Sequence, residues 1–110
     1  MEITEDRQGD VCVVGVAGKL DASTSKDLET KVLSIIASNQ NKLVMDLSQL
    51  DYISSAGLRV FLLAAKRMEQ SNGKMVLCAL KEAVRQVFDI AGFSSFLKLA
   101  NTRDEAIKVL

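Results

Sequence analysis

The 110-residue chain has no histidine, no proline and no tryptophan, and it has only two cysteines and one tyrosine. Without histidine, neither a Ser-His nor a Cys-His pair can form, and the commonest general base is missing. Cys12 and Cys78 are isolated and the carboxylates are scattered, so no zinc or calcium spacing is present. Gly15 and Gly18 do not complete a GxGxxG fingerprint, and no GxxxxGK[ST] phosphate loop occurs. Fourteen basic residues balance fourteen acidic ones, which leaves no electrostatic footprint for nucleic acid or anionic lipid. No apolar stretch approaches the roughly 18 residues of a membrane span, and nothing resembles a signal peptide. These absences point away from an enzyme, a cofactor carrier and a membrane protein, and towards a cytoplasmic location. The missing proline and tryptophan carry little functional information.

What is present is ordinary for a folded protein. Apolar residues make up 48% and charged residues 25%, and the length suits a single domain over residues 1–110. Both cysteines sit inside apolar runs and are expected to be buried free thiols. Val11 to Ala17, "VCVVGVA", reads as a strand buried on both faces, preceded by a shorter strand near Glu2 to Asp6 and a turn at Gln8-Gly9-Asp10. "GKLDAS" is expected to break that pattern. Leu28, Val32, Ile35 and Ile36 then recur at helical spacing, predicting a helix from Ser23 to about Ser38 with Ser23 as N-cap.

"KLVMDL" from Lys42 to Leu47 predicts a second core strand, and "KMVLCAL" from Lys74 to Leu80 a third. Between them a helix from about Ser55 to Glu69 ends at Asn72-Gly73, with Leu58, Phe61, Leu62 and Met68 expected in the core. A helix over Lys81 to Ile90, closed by Gly92, a short strand at Phe96 to Ala100 and a helix from Thr102 complete the order. This alternation predicts an α/β domain with a mostly parallel sheet of about five strands and about four helices. A response-regulator receiver is the nearest alternative, but Asp21 and Asp46 are too isolated to form its acidic cluster.

The stretch "DYISSAGLRV" places two hydroxyls, Ser54 and Ser55, at the mouth of a helix. The first backbone amides of a helix lack intrahelical acceptors, and the macrodipole adds partial positive charge. A serine there can serve as a cap, and the same position accepts a phosphate. One helix needs one cap. With Ser54 as N-cap, Ser55 becomes the first helical residue and its hydroxyl faces outward. Gly57 either leaves room for a partner to approach or permits close packing of the helix against the sheet.

At these residues the chain resembles the bacterial anti-sigma factor antagonists of the STAS domain family. "MDLSQLDYISSAGLRVFL", Met45 to Leu62, is similar to that family's strand–"DLSxLxxxDSxGLxxL"–helix hallmark. "GKLDASTS" resembles its Gly-x-Leu-Asp loop, and "FDIAGF", Phe88 to Phe93, the end of its third helix. The resemblance implies the STAS fold and a partner-switching role. It places the phosphorylatable serine at Ser55, with Ser54 as the second candidate because it stands where the family often has aspartate. Arg59 stands where a small residue is common. The implied partner surface comprises Asp21, Ser54, Ser55, Ala56, Gly57, Leu58 and Arg59. The implied partners are an anti-sigma factor that is also a serine kinase of the histidine-kinase-like ATPase fold, and a PP2C-type phosphatase. The unphosphorylated form would bind the kinase and so release a sigma factor.

Asp21 is expected near Ser55, since both loops follow parallel strands; partner contact and capping of the next helix are its two readings. Asp46 is read as structural. Two other functions remain open: a STAS scaffold that is never phosphorylated, and a small nucleotide-binding α/β protein.

Overall fold

A computed structural model describes residues 1–110. Its elements are β1 (Glu2–Gln8), β2 (Val11–Leu20), α1 (Ser25–Ala37), β3 (Lys42–Asp46), β4 (Leu50–Ile53), α2 (Ser55–Gln70), β5 (Lys74–Cys78), α3 (Glu82–Ile90), a 3-10 turn (Phe93–Ser95), β6 (Lys98–Ala100) and α4 (Arg103–Lys108). The six strands form a sheet of order β1-β2-β3-β5-β6, with β4 off this path and paired to β2. Only β1 runs antiparallel to its neighbour; every other pairing is parallel.

The alternation within β2 explains the layers. Cys12, Val14 and Val16 face a large core of 21 buried residues shared with α1, α2 and α3. Val11 and Val13 face the other side, where six buried residues, including Val44, Val76, Cys78 and Ala106 of α4, form a second core. A strand covered on both faces has no polar side, hence the unbroken apolar run. Phe61 of α2 and Phe88 of α3 meet with ring centroids 5.9 Å apart and close the larger core. Both cysteines are buried and free, as their apolar surroundings imply.

Three expectations need correcting. β2 does not end at Ala17 but continues to Leu20, because Gly18 takes φ 94° and a register shift there lets the strand bend on to meet β4. Leu50–Ile53 is a sixth strand beyond the five expected: Leu50 and Ile53 are buried while Asp51 and Tyr52 between them are exposed, so its short pattern is not the alternation of a long strand. Ser23 does not cap α1. The helix starts at Ser25, and the Ser23 hydroxyl donates to the Asp21 carboxylate at 2.7 Å. Apart from these, boundaries shift by at most two residues; β6, for example, starts at Lys98 because Phe93–Ser95 winds as a 3-10 turn.

Candidate functional site

The site is built where β2 and β4 end side by side. Leu20 lies opposite Ile53 in the parallel register. The Ser54 N–H donates to the Leu20 carbonyl at 2.9 Å. Ser54 is extended (φ −96°, ψ 174°), its Oγ accepts the Gly57 N–H at 3.3 Å, and its carbonyl accepts the Leu58 N–H at 3.0 Å. That is the geometry of an N-cap. Ser55 is therefore the first residue of α2, and it is exposed.

The electrostatics at Ser55 favour an anion. The amides of the first helical turn have no intrahelical acceptors, and α2 carries no acidic residue in its first turn. Arg59, exposed and outside every ion pair, follows one turn later on the same helix face. The arrangement suits a hydroxyl that gains and loses a phosphoryl group without disturbing the helix.

Asp21 sits beside this helix mouth through the Leu20–Ile53 register, as the parallel strands require. Its Oδ1 accepts the Ser23 hydroxyl at 2.7 Å, the Ser23 N–H at 3.0 Å and the Thr24 N–H at 3.2 Å. The Ser23 hydroxyl first, helped by the Ser23 and Thr24 amides, holds the Asp21 carboxyl below its usual range against the opposing effect of burial. The carboxylate thus organises the entry to α1, which is the structural reading of this residue.

Two members of the expected contact surface turn inward. Leu58 is 5% exposed and packs in the larger core. At Gly57 an added Cβ would lie 2.8 Å from Leu20 Cγ and 2.9 Å from Ile53 Cγ1, so its missing side chain serves close packing. Of the residues expected at that surface, Ser55 and Arg59 are exposed and Ser54, Ala56 and Asp21 are partly exposed.

Sequence reading missed Tyr52. It stands on β4, is 51% exposed, and lies opposite Lys19 in the register. Beside it, Asp51 pairs with Lys81 at the entry to α3. The usable signal was a tyrosine two residues before a serine cap, and without recognising β4 it could not be placed on a surface. Asp46 is 9% exposed at the end of β3, and its Oδ1 accepts the Ser48 N–H at 3.0 Å. Its Oδ2 accepts from Arg103 Nε at 3.0 Å and Nη2 at 2.7 Å, which makes it structural. No three His, Cys, Asp or Glu side chains converge as a metal site, and no helix is long and apolar enough to cross a membrane.

Comparison with known proteins agrees with this fold. Residues 2–106 match the STAS domain family. BtrV of Bordetella bronchiseptica, a candidate anti-sigma factor antagonist, is 41% identical over 106 residues, covering 96% of this chain and 91% of BtrV. The crystal structure of an anti-sigma factor antagonist from Mycobacterium paratuberculosis superposes with a TM-score of 0.91 at 25% identity, covering 98% of this chain and 92% of that one. The Bacillus cell fate determinant SpoIIAA, solved in its phosphorylated form, superposes with a TM-score of 0.75 over 97% of each chain; at 20% identity it speaks to the fold alone. The chain belongs to the STAS domain family, among its anti-sigma factor antagonists.

Proposed function

We propose that this chain is the phosphorylation-controlled member of a partner-switching circuit, with Ser55 as the phosphate acceptor. In its unphosphorylated form it binds an anti-sigma factor that doubles as a serine kinase of the histidine-kinase-like ATPase fold, and the sigma factor is released. The kinase transfers the γ-phosphoryl group of ATP to Ser55 Oγ, and a PP2C-type phosphatase hydrolyses the ester. Nucleotide and metal belong to those enzymes; this chain is substrate and ligand.

One observation carries the reading: Ser55 is an exposed hydroxyl at the first position of a helix whose cap is already supplied by Ser54. A phosphoserine brings a charge of about −1.5 to −2. The helix N-terminus tolerates that charge, whereas an interface formed around a neutral hydroxyl must desolvate or repel it. A loss of about 3 to 4 kcal/mol weakens binding some 100- to 1000-fold. No refolding is involved.

The test is incubation with the kinase and ATP, followed by mass spectrometry and affinity measurement. Phosphate is expected on Ser55, with Ser55→Ala binding like the wild type and Ser55→Asp binding more weakly. Phosphate at another position, or equal affinity of all three forms, would overturn the reading.

A further inference from the structure

The sheet ends at β6, which pairs only with β5, so its outer edge is free. The Ala100 carbonyl accepts the Ala79 N–H at 3.2 Å and therefore faces inward. Backbone groups alternate sides along a strand, so the N–H and carbonyl of Leu99 face outward. Along this edge runs a groove of about 380 Å³. Its floor is residues 98–101 in succession; Arg85 of α3 flanks it from one face of the sheet, and Lys108 and Val109 at the end of α4 from the other.

The groove is basic. Arg85, Lys98 and Lys108 take part in none of the five ion pairs of the protein. The one acid in the lining, Glu105, accepts the Asn101 N–H at 3.2 Å. Val109, 45% exposed, supplies an apolar contact among the cations.

We infer that this edge docks an extended acidic segment of a partner protein, which joins the sheet beside β6 as an additional strand. The outward N–H and carbonyl of Leu99 pair with its backbone, which is how strand addition gains affinity. Its carboxylates meet Arg85, Lys98 and Lys108, and an apolar side chain meets Val109. A small inorganic anion would meet the cations and leave the strand edge unused, so the free backbone favours a peptide. Lysines on a short edge strand repel a like-charged edge. The same charges that keep the β6 edges of two copies apart admit a strand bearing carboxylates. This surface is separate from Ser55 and does not depend on the phosphorylation reading.

The experiment uses the full chain and a short fluorescein-labelled peptide of alternating valine and glutamate, followed by anisotropy at low salt. The controls are the same peptide N-methylated at alternate amides, a valine–lysine peptide and inorganic tripolyphosphate. Lys98 and Lys108 are exposed, so Lys98→Glu/Lys108→Glu should keep the wild-type melting temperature. Saturable binding is expected, weakened at least about tenfold by the double substitution and by N-methylation. Slowed hydrogen exchange at the Leu99 amide is expected on binding. Any of four results would overturn the proposal: no binding of the acidic peptide, equal binding of the N-methylated or lysine peptide, displacement by tripolyphosphate at matched charge, or self-association of the chain that the double substitution abolishes.

Discussion

The backbone N–H of Ser54 is held by the carbonyl of Leu20 at 2.9 Å, which fastens the start of α2 to the end of β2. The two serines thereby acquire different duties. Ser54 is engaged through its amide, its carbonyl and its hydroxyl, whereas Ser55 is exposed beside it.

Removing the cap tests this division. Ser54→Ala is expected to lower stability by about 1 kcal/mol, the usual cost of losing an N-cap hydroxyl, measured as a shift in the urea midpoint. Phosphate incorporation by the kinase should remain on residue 55. A phosphate that disappears with the Ser54 hydroxyl would reverse the assignment.

Gly57→Ala is expected to destabilise. The new methyl would sit 2.8 Å from Leu20 Cγ and 2.9 Å from Ile53 Cγ1, and both of those residues are buried. Overpacking costs about 1–3 kcal/mol, against at most about 1 kcal/mol gained in helix propensity. Chemical denaturation should show a net loss. A gain would mean that the helix shifts freely on the sheet.

The Asp46–Arg103 pair predicts an acid limb in the stability curve. Burial pushes the Asp46 carboxyl up, but the Ser48 N–H and Arg103 together outweigh it and hold the group below its ordinary value of 3.8. A carboxyl depressed in the folded state contributes stability that is present above the unfolded pKa and is lost as pH falls through the folded one. Arg103→Met is therefore expected to cost about 1.5–3 kcal/mol near neutrality and to flatten the loss of stability below about pH 4. Urea titrations between pH 3 and pH 7 would read both effects, and an unchanged acid limb would remove Arg103 from the account.

The thiols should be inert in the native protein. Burial first, and then the neighbouring Asp46 charge, push the Cys78 thiol up to about 11. Cys12 is also raised, chiefly by burial and then by Glu5. The thiolate is the reacting species, so iodoacetamide at pH 8 should label neither cysteine in folded protein and both in urea. Rapid native labelling of either would show local opening of the sheet.

Much of this was legible from the residues themselves. The core strands announced themselves because burial on both faces leaves continuous apolar runs, as in Val11–Ala17 and Met75–Cys78. Ser54 and Ser55 were readable as cap and first helical residue from their position before an amphipathic run, and the structure assigns them so. β4 was not legible. It is four residues long, its exposed pair Asp51 and Tyr52 breaks alternation, and only its pairing with the far end of β2 makes it a strand. Gly57 was ambiguous for a different reason: a missing side chain looks the same in sequence whether it makes room for a neighbour inside or outside, and only the positions of Leu20 and Ile53 decide. The Asp46–Arg103 pair spans 57 residues, and no local pattern encodes such a contact.

The second core has a consequence for biosynthesis. Val11, Val13, Val44 and Val76 are packed under a six-residue α4 at the very end of the described chain, pinned by Arg103 on Asp46. Translation delivers α4 after every strand of the sheet, so the nascent sheet carries a bare apolar flank until that helix has emerged and docked. Maturation of this domain thus waits on α4, and a copy cut short before Arg103 is left with a sticky face for chaperones or proteases to find.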